Sequence, residues 1–191
     1  GVANQSGQVT RSAAKAMLDL AAASGIDTLD TAIAYGESEA CLGEVGIQNF
    51  KLVTKLPAIP AGCDGICGWV QAQVNASLTR LGVKAVDGLL LHRPEQLLGA
   101  DGEAIYQALQ GVKEAGLVRK VGVSVYDPNE LEALIPRYRF DLIQIPFNLV
   151  DRRVQTSGWL RRLKEEGVEI HTRSAFLQGL LLMPQAVRPA K

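Results

Sequence analysis

Six short apolar runs rich in β-branched residues recur along the chain in alternation with helix-like stretches, and this rhythm limits the fold more than any other feature of the sequence. The runs are "IDTLDT", "KLVTK", "VDGLLLH", "RKVGVSV", "FDLIQI" and "GVEIHTR". Runs that stay apolar, instead of alternating with polar residues, belong to strands covered on both faces, as in parallel sheets. The helix-like stretches include "SAAKAMLDLAAASG", with a Ser12 start and a Gly25 stop, "DGICGWVQAQVNASLTRLG" ending at Gly82, and "DGEAIYQALQGVKEAG" ending at Gly116. "DPNELEALIPRY", opened by Asp127 and Pro128, and "TSGWLRRLKEEG", closed by Gly167, complete the set. Strand and helix in strict alternation predict an α/β fold of βα units with right-handed crossovers. An open doubly wound sheet usually carries a glycine-rich phosphate turn after its first strand, and neither G-x-G-x-x-G nor G-x-x-x-x-G-K-[ST] occurs. The expected architecture is therefore a (β/α)8 TIM barrel, incomplete as given, with about six βα units visible.

Such a barrel gathers its chemistry at the carboxyl ends of its strands. The polar residues that follow the six runs are Asp30 with Tyr35, Lys55, His92, Ser124, Gln144, and His171 with Arg173. A tyrosine hydroxyl is a poor proton donor or acceptor at neutral pH unless its neighbours adjust it. A Lys55 ammonium near Tyr35 would favour the phenolate and lower the tyrosine pKa, Asp30 would hold that ammonium charged, and His92 could orient a carbonyl oxygen or relay its proton. The set suits proton delivery to an aldehyde or ketone oxygen while hydride arrives at carbon, and hydride requires a cofactor because no side chain supplies it. Taken singly, each residue also has a structural reading: Asp30 as a strand-end cap, Tyr35 as a loop aromatic, Lys55 as a solvated loop lysine. His92 has less packing reason to close so apolar a strand.

Other chemistries fit less well. The two histidines, His92 and His171, occur in neither H-x-H nor H-E-x-x-H spacing, so no metal site is expected. "VGVSVY" lacks the G-x-S-x-G nucleophile elbow. Cys41, Cys63 and Cys67 form no zinc-type or redox pair and read as reduced structural thiols. A formal net charge of zero with scattered basic residues argues against a nucleic-acid partner or an anionic membrane. The longest apolar runs fall far short of the roughly 20 residues that span a bilayer, so the expected location is cytoplasmic with no membrane partner. With 191 residues and 47% hydrophobic content, the chain can bury a sizeable core and reads as one domain, residues 1–191.

The order of these residues resembles the aldo-keto reductase family. "LDTAIAYGESEACLGEV" is similar to that family's D-T-A-x-x-Y-G strand and loop, "KLVTKLP" to its lysine strand and "VDGLLLHRPE" to its histidine strand. "GLVRKVGVSVYDP", "IQIPFNLVDRR" and "RSAFLQGLL" resemble its later segments in the same order, so the likeness runs from about Ala21 to Leu182. The resemblance implies a catalytic tetrad of Asp30, Tyr35, Lys55 and His92, with Tyr35 the general acid in reduction. It implies that Ser124 and Gln144 hydrogen-bond the nicotinamide amide, that Ser174, Phe176 and nearby backbone contact the pyrophosphate, and that Arg173 occupies the place of the aromatic that commonly stacks on the nicotinamide ring. The cofactor so implied is NADPH, with NADH not excluded, and the partner is a small-molecule carbonyl substrate; oligomeric state is left open. The chain departs from the pattern at Val125, where the family usually has asparagine, at Arg173, and at Ala175, where it has proline.

The first residue is Gly1, and "SGQVT" leads directly into the first helix. By the resemblance, the first barrel strand would precede Gly1, and the eighth strand, with the basic residues that grip a 2′-phosphate, would follow Lys191. The chain is accordingly expected to be truncated at both ends relative to the family, and the choice between NADH and NADPH is not legible in it. Two further readings stay open: a nicotinamide-binding regulatory or interaction subunit, and an inactive fragment of a reductase.

Overall fold

A computed structural model describes residues 9–47 and 49–188. The helices are α1 (Arg11–Ala23), α2 (Ser38–Val45), α3 (Ile66–Leu81), α4 (Gly102–Glu114), α5 (Glu130–Leu134), α6 (Arg153–Thr156) and α7 (Trp159–Glu165). The strands are β1 (Thr28–Asp30), β2 (Lys51–Leu56), β3 (Val86–Leu91), β4 (Val118–Ser124), β5 (Leu142–Pro146) and β6 (Glu169–Arg173). All six predicted strands form, every pair is parallel, and their order in the sheet is their order in the chain. That is the order a singly wound barrel wall requires.

Curvature follows from one contact. In a flat sheet β1 and β5 would stand four strand spacings apart, about 19 Å. Instead Gln144 Nε2 on β5 donates to Asp30 Oδ1 on β1 at 2.8 Å. Two side chains can meet in this way only if the sheet curls around a common interior. The six strands therefore form part of a barrel wall, as predicted, with β1 and β6 each hydrogen-bonded on one side among the described residues.

The pleat sorts side chains into two layers. Outward-facing Leu52, Leu56, Leu89, Leu91, Val121, Val123, Ile143 and Ile145 pack with α3, α4, α5 and α7 into the main core. Inward-facing Val53, Leu90 and Leu142 form a small plug of their own. Directly beside it is Gly122, where an added Cβ would lie 1.7 Å from the Leu142 carbonyl oxygen, so no side chain fits. Above the plug the inward positions become polar: Asp30, Lys55, Ser124, Gln144 and Arg173.

Helix boundaries shift modestly. The cap of α1 is Thr10, whose Oγ1 accepts from the Ala13 N–H at 3.2 Å, so the helix begins just ahead of the expected Ser12. α3 closes at Gly82 in the left-handed region (φ 67°), where a side chain would be strained. "TSGWLRRLKEEG" is not one helix, because Gly158 (φ 84°) separates α6 from α7. The three cysteines are free, and Cys67 is exposed on α3 instead of serving the core.

Candidate active site

Each strand that reaches the mouth contributes one group. Lys55, the last inward position of β2, is almost wholly buried, with only 1% of its surface exposed. A buried ammonium must be paired, and Lys55 Nζ donates to Asp30 Oδ2 at 2.6 Å and to the Thr31 carbonyl at 2.8 Å. Asp30 is thereby engaged at both oxygens, by Lys55 and by Gln144. Gln144 Oε1 in turn accepts from Ser124 Oγ at 3.0 Å, giving a hydrogen-bonded row from β2 through β1 and β5 to β4.

Tyr35 lies on the loop between β1 and α2, over this row. Its ring sits 5.0 Å from Lys55 Nζ and 5.9 Å, edge-on, from the His92 ring. Tyr35 is partly exposed while Lys55 beneath it is not, so the phenol faces the mouth and the charge stays covered. The structure thus brings together Asp30, Tyr35, Lys55 and His92, with Ser124, Gln144 and Arg173 around them.

The electrostatics differ from the expectation at one point. The Tyr35 pKa is raised, first by burial of the ring and then by the nearby Asp30 charge, with Arg173 acting in the opposite direction. Lys55 was expected to lower it, but the ammonium spends its charge on Asp30. Burial also lowers the Lys55 pKa, against the pull of Asp30. His92 is lowered by burial, then by Lys55 and Arg173, so the imidazole is neutral at pH 7.

Ser174 follows β6 with φ 58°, and Leu177 and Gln178 also have positive φ, so the loop after β6 is sharply folded. Phe176 stands exposed on it. Asn148, which the sequence reading did not single out, ties this loop down: its Nδ2 donates to the Ser174 carbonyl at 3.2 Å and its Oδ1 accepts from the Val150 and Asp151 N–H groups. His171 points inward below Arg173 but binds Glu169 Oε1 at 2.8 Å, away from the tyrosine.

Glu39 lies in the first turn of α2, where a carboxylate ordinarily does no more than complement the helix dipole. It is buried instead, 1% exposed. Its Oε1 accepts from Thr54 Oγ1 (2.7 Å) and Ser77 Oγ (2.6 Å), and its Oε2 from Arg80 Nε (2.8 Å). Arg80 Nη2 lies 2.6 Å from the same oxygen but is not aligned for a hydrogen bond. Thr54 precedes Lys55 and Glu39 lies four residues after Tyr35, so one carboxylate fixes the backbones that carry both groups. No local pattern signals this, since its partners are 15, 38 and 41 residues away.

An open cleft of about 410 Å³, lined by Thr28, Asp30, Gln144, Ile170, His171, Thr172 and Arg173, runs beside the row. That volume is within the usual range for small-molecule sites. A somewhat larger hollow near Arg11, Lys15 and Glu44 contains none of these groups and lies away from the mouth. No group of three or more metal-ligating side chains occurs among the described residues.

Comparison with known proteins identifies the family and the fold. The family model described as "Aldo/keto reductase family" matches residues 1–187. The chain belongs to the aldo/keto reductase family. Among curated proteins, this aldo/keto reductase chain is 33% identical over 174 residues to 6-dehydroglucose reductase of Agrobacterium fabrum, covering 81% of this chain and 58% of the relative. It is 29% identical to the uncharacterized oxidoreductase YqkF of Bacillus subtilis, with 88% and 57% covered. The chain therefore spans somewhat over half the length of these relatives. Among solved structures, a putative aldo-keto reductase from Pseudomonas aeruginosa superposes with a TM-score of 0.74 at 26% identity, over 90% of this chain and 69% of that one. An aldo-keto reductase of Klebsiella pneumoniae in complex with NADPH has the same fold, with a TM-score of 0.73 at 22% identity over 88% and 60%. No described helix is long and apolar enough to cross a membrane.

Proposed function

We propose that this chain carries the catalytic end of an NAD(P)H-dependent reductase that converts a small-molecule aldehyde or ketone to an alcohol, with Tyr35 as the proton donor. The observation that carries the reading is the convergence of Asp30, Lys55, Tyr35 and His92 at the carboxyl ends of consecutive strands, with the ammonium buried beneath the phenol.

A bound nicotinamide would supply the hydride. The residues present fit its carboxamide: Ser124 and Gln144 are buried neighbours, and after bonding each other and Asp30 they retain one amide hydrogen and free lone pairs to offer. Arg173, Ser174 and Phe176 border the same mouth and would hold the remainder of the cofactor. NADPH is the proposed cofactor, with NADH admissible.

The protein's own part is proton management. A raised pKa keeps the Tyr35 phenol protonated at neutral pH, which is the form a donor must have. As the carbonyl carbon receives hydride, the oxygen takes the Tyr35 proton and the alcohol leaves. The Lys55 ammonium, 5.0 Å from the centre of that ring, offsets the charge of the resulting phenolate, and the proton is restored from solvent at the open mouth. Neutral His92, edge-on to Tyr35, donates a ring N–H to the carbonyl oxygen and orients it. Lys55 stays available for this because Asp30 holds its charge against burial. Aldehydes, sugar-like carbonyls and small ketones are all admissible substrates.

The test is NADPH and NADH consumption with a reactive aromatic aldehyde, run on the 191-residue chain and on its Tyr35→Phe variant. Turnover that falls by a factor of about 100 or more in the variant supports the assignment, since general acid catalysis contributes roughly 10²- to 10⁴-fold. Equal turnover in the two proteins would remove Tyr35 from the mechanism.

A further inference from the structure

Arg173 ends β6 where the family pattern places an aromatic side chain against the nicotinamide ring, and the fold gives this replacement a fixed seat. Its side chain passes the end of β5 and reaches β4, where Nη2 donates to the Val125 carbonyl at 3.0 Å. Val125 follows Ser124, and its own N–H donates to the Gln144 carbonyl at 2.9 Å. The guanidinium is therefore anchored beside the Ser124 and Gln144 pair proposed to hold the carboxamide. Its carbon lies 4.1 Å from the centre of the Tyr126 ring. Tyr126 is fixed in turn, since its N–H donates to Glu130 Oε1 at 2.7 Å and its carbonyl accepts from Arg153 Nη2 at 3.2 Å. An aromatic ring is thus present, supplied from the loop after β4 instead of from β6, and it carries a cation on its face.

Nearby carboxylates do not cancel that charge. Asp30 is occupied by Lys55 and Gln144. Asp127 and Asp151 on the adjacent rim are both taken by Arg153, at 2.5 Å and 2.8 Å. Glu169, on the same face of β6, binds Lys120 and His171. Lys55, the other cation of the site, is paired with Asp30, whereas Arg173 has no carboxylate partner among the described residues and its Nε is buried without a hydrogen bond. Its charge is felt at Tyr35, Lys55 and His92.

The two redox forms of a nicotinamide cofactor differ at the ring alone. The reduced ring is neutral, the oxidised ring is a pyridinium cation, and the riboses, phosphates and adenine are common to both. An aromatic neighbour attracts the cationic ring through its π face, whereas a guanidinium repels it. We propose that Arg173 makes the site select the reduced cofactor over the oxidised one, so that a mixed pool of the two loads the chain for carbonyl reduction and the spent form leaves readily. This rests on Ser124 and Gln144 holding the carboxamide. Two unit charges at ring-contact separation, about 4–5 Å, repel enough in a half-open site to change affinity roughly 10- to 100-fold. A neutral ring meets no such repulsion and still gains the flat face of the guanidinium.

The experiment measures dissociation constants for NADPH, by its own fluorescence on binding, and for NADP+, by displacement of NADPH, in the 191-residue chain, Arg173→Gln and Arg173→Lys. The parent should hold NADPH more tightly than NADP+ by about tenfold or more. That ratio should fall about tenfold in Arg173→Gln and stay within about threefold of the parent in Arg173→Lys, which keeps the charge. A parent ratio near unity, or a ratio that moves less than about threefold in Arg173→Gln, overturns the inference. Because the phosphates are common to both forms, they cancel in the ratio. Equal weakening of the two forms in Arg173→Gln therefore assigns the guanidinium to the phosphates, overturning the inference while the reductase reading stands.

Nicotinamide mononucleotide and its reduced form, which lack the adenosine half, give a second arm by calorimetry. Their ratio should follow the same pattern across the three proteins, and equal binding of the two by the parent overturns the inference whether or not the protein turns over. Turnover indifferent to Tyr35→Phe, with the redox preference present in the parent and lost in Arg173→Gln, removes the proton donor and supports the inference. Binding of neither redox form by the parent overturns the inference and the cofactor reading together.

Discussion

Replacing Glu39 gives a quantitative test of the buried node that fixes the Tyr35 loop and the Lys55 strand. Glutamine has nearly the same shape, and the Thr54 and Ser77 hydroxyls can rotate to accept from its amide while its oxygen faces Arg80. The three hydrogen bonds survive in number; those of Thr54 and Ser77 lose charge assistance, each falling from about 1.5–3 to about 0.5–1.5 kcal/mol, while Arg80 still donates as a cation but loses its ion-pair partner, worth up to about 1 kcal/mol at its exposure. That summed loss of about 3 kcal/mol is offset in part because no carboxylate is desolvated, and because Arg80, with 36% of its side chain exposed, can return to water. The expected net destabilisation for Glu39→Gln is about 1–2 kcal/mol. Glu39→Ala instead leaves two buried hydroxyls and the guanidinium without their acceptor and opens a cavity, for about 3–5 kcal/mol. Urea unfolding followed through Trp69 and Trp159 fluorescence would measure both. Alanine costing no more than glutamine, or either variant matching the parent within about 0.5 kcal/mol, would refute the account of Glu39 as a satisfied, structure-bearing carboxylate.

Four other outcomes follow from particular contacts. Gly122→Ala forces a Cβ to 1.7 Å from the Leu142 carbonyl oxygen, so β4 and β5 must separate and stability should fall by about 3 kcal/mol or more. Gly111→Ala in α4, where nothing lies within 4 Å, should stabilise by about 0.5–1 kcal/mol, and parallel thermal melts would show the opposite signs. His92 followed by NMR should titrate below its usual 6.5, and Arg173→Gln should raise the midpoint. Because the unfolded chain then binds the His92 proton more readily than the folded one, this residue's contribution to stability is lost as pH falls from about 6.5 through the folded value. Gln144→Leu removes the donor to Asp30 and the acceptor for Ser124, and should weaken NADPH binding about tenfold in a fluorescence titration if the pair holds the carboxamide.

Much of the site was legible because strand pleating and barrel topology are local rules. A residue at the inward end of a parallel strand faces the mouth whatever its neighbours, so reading along six apolar runs was enough to gather Asp30, Lys55, His92, Ser124, Gln144 and Arg173. The order of the strands and their parallel pairing followed from the alternation with helices. What the linear pattern could not contain were contacts made by curvature and by packing across the sheet. Asp30 meets Gln144 over 114 residues of chain because the wall curls. Glu39 is buried because β2 and α3 converge on α2, and Arg173 finds Tyr126 because β6 and β4 approach across β5. The tyrosine shows the same division in its chemistry. Sequence reasoning placed a lysine near Tyr35 and expected its charge to lower the pKa. The folded structure buries that lysine against Asp30 and partly buries the ring, so desolvation and the carboxylate prevail and the phenol keeps its proton. Proximity in a pattern identifies which groups can interact, while the folded geometry fixes which partner each charge is spent on.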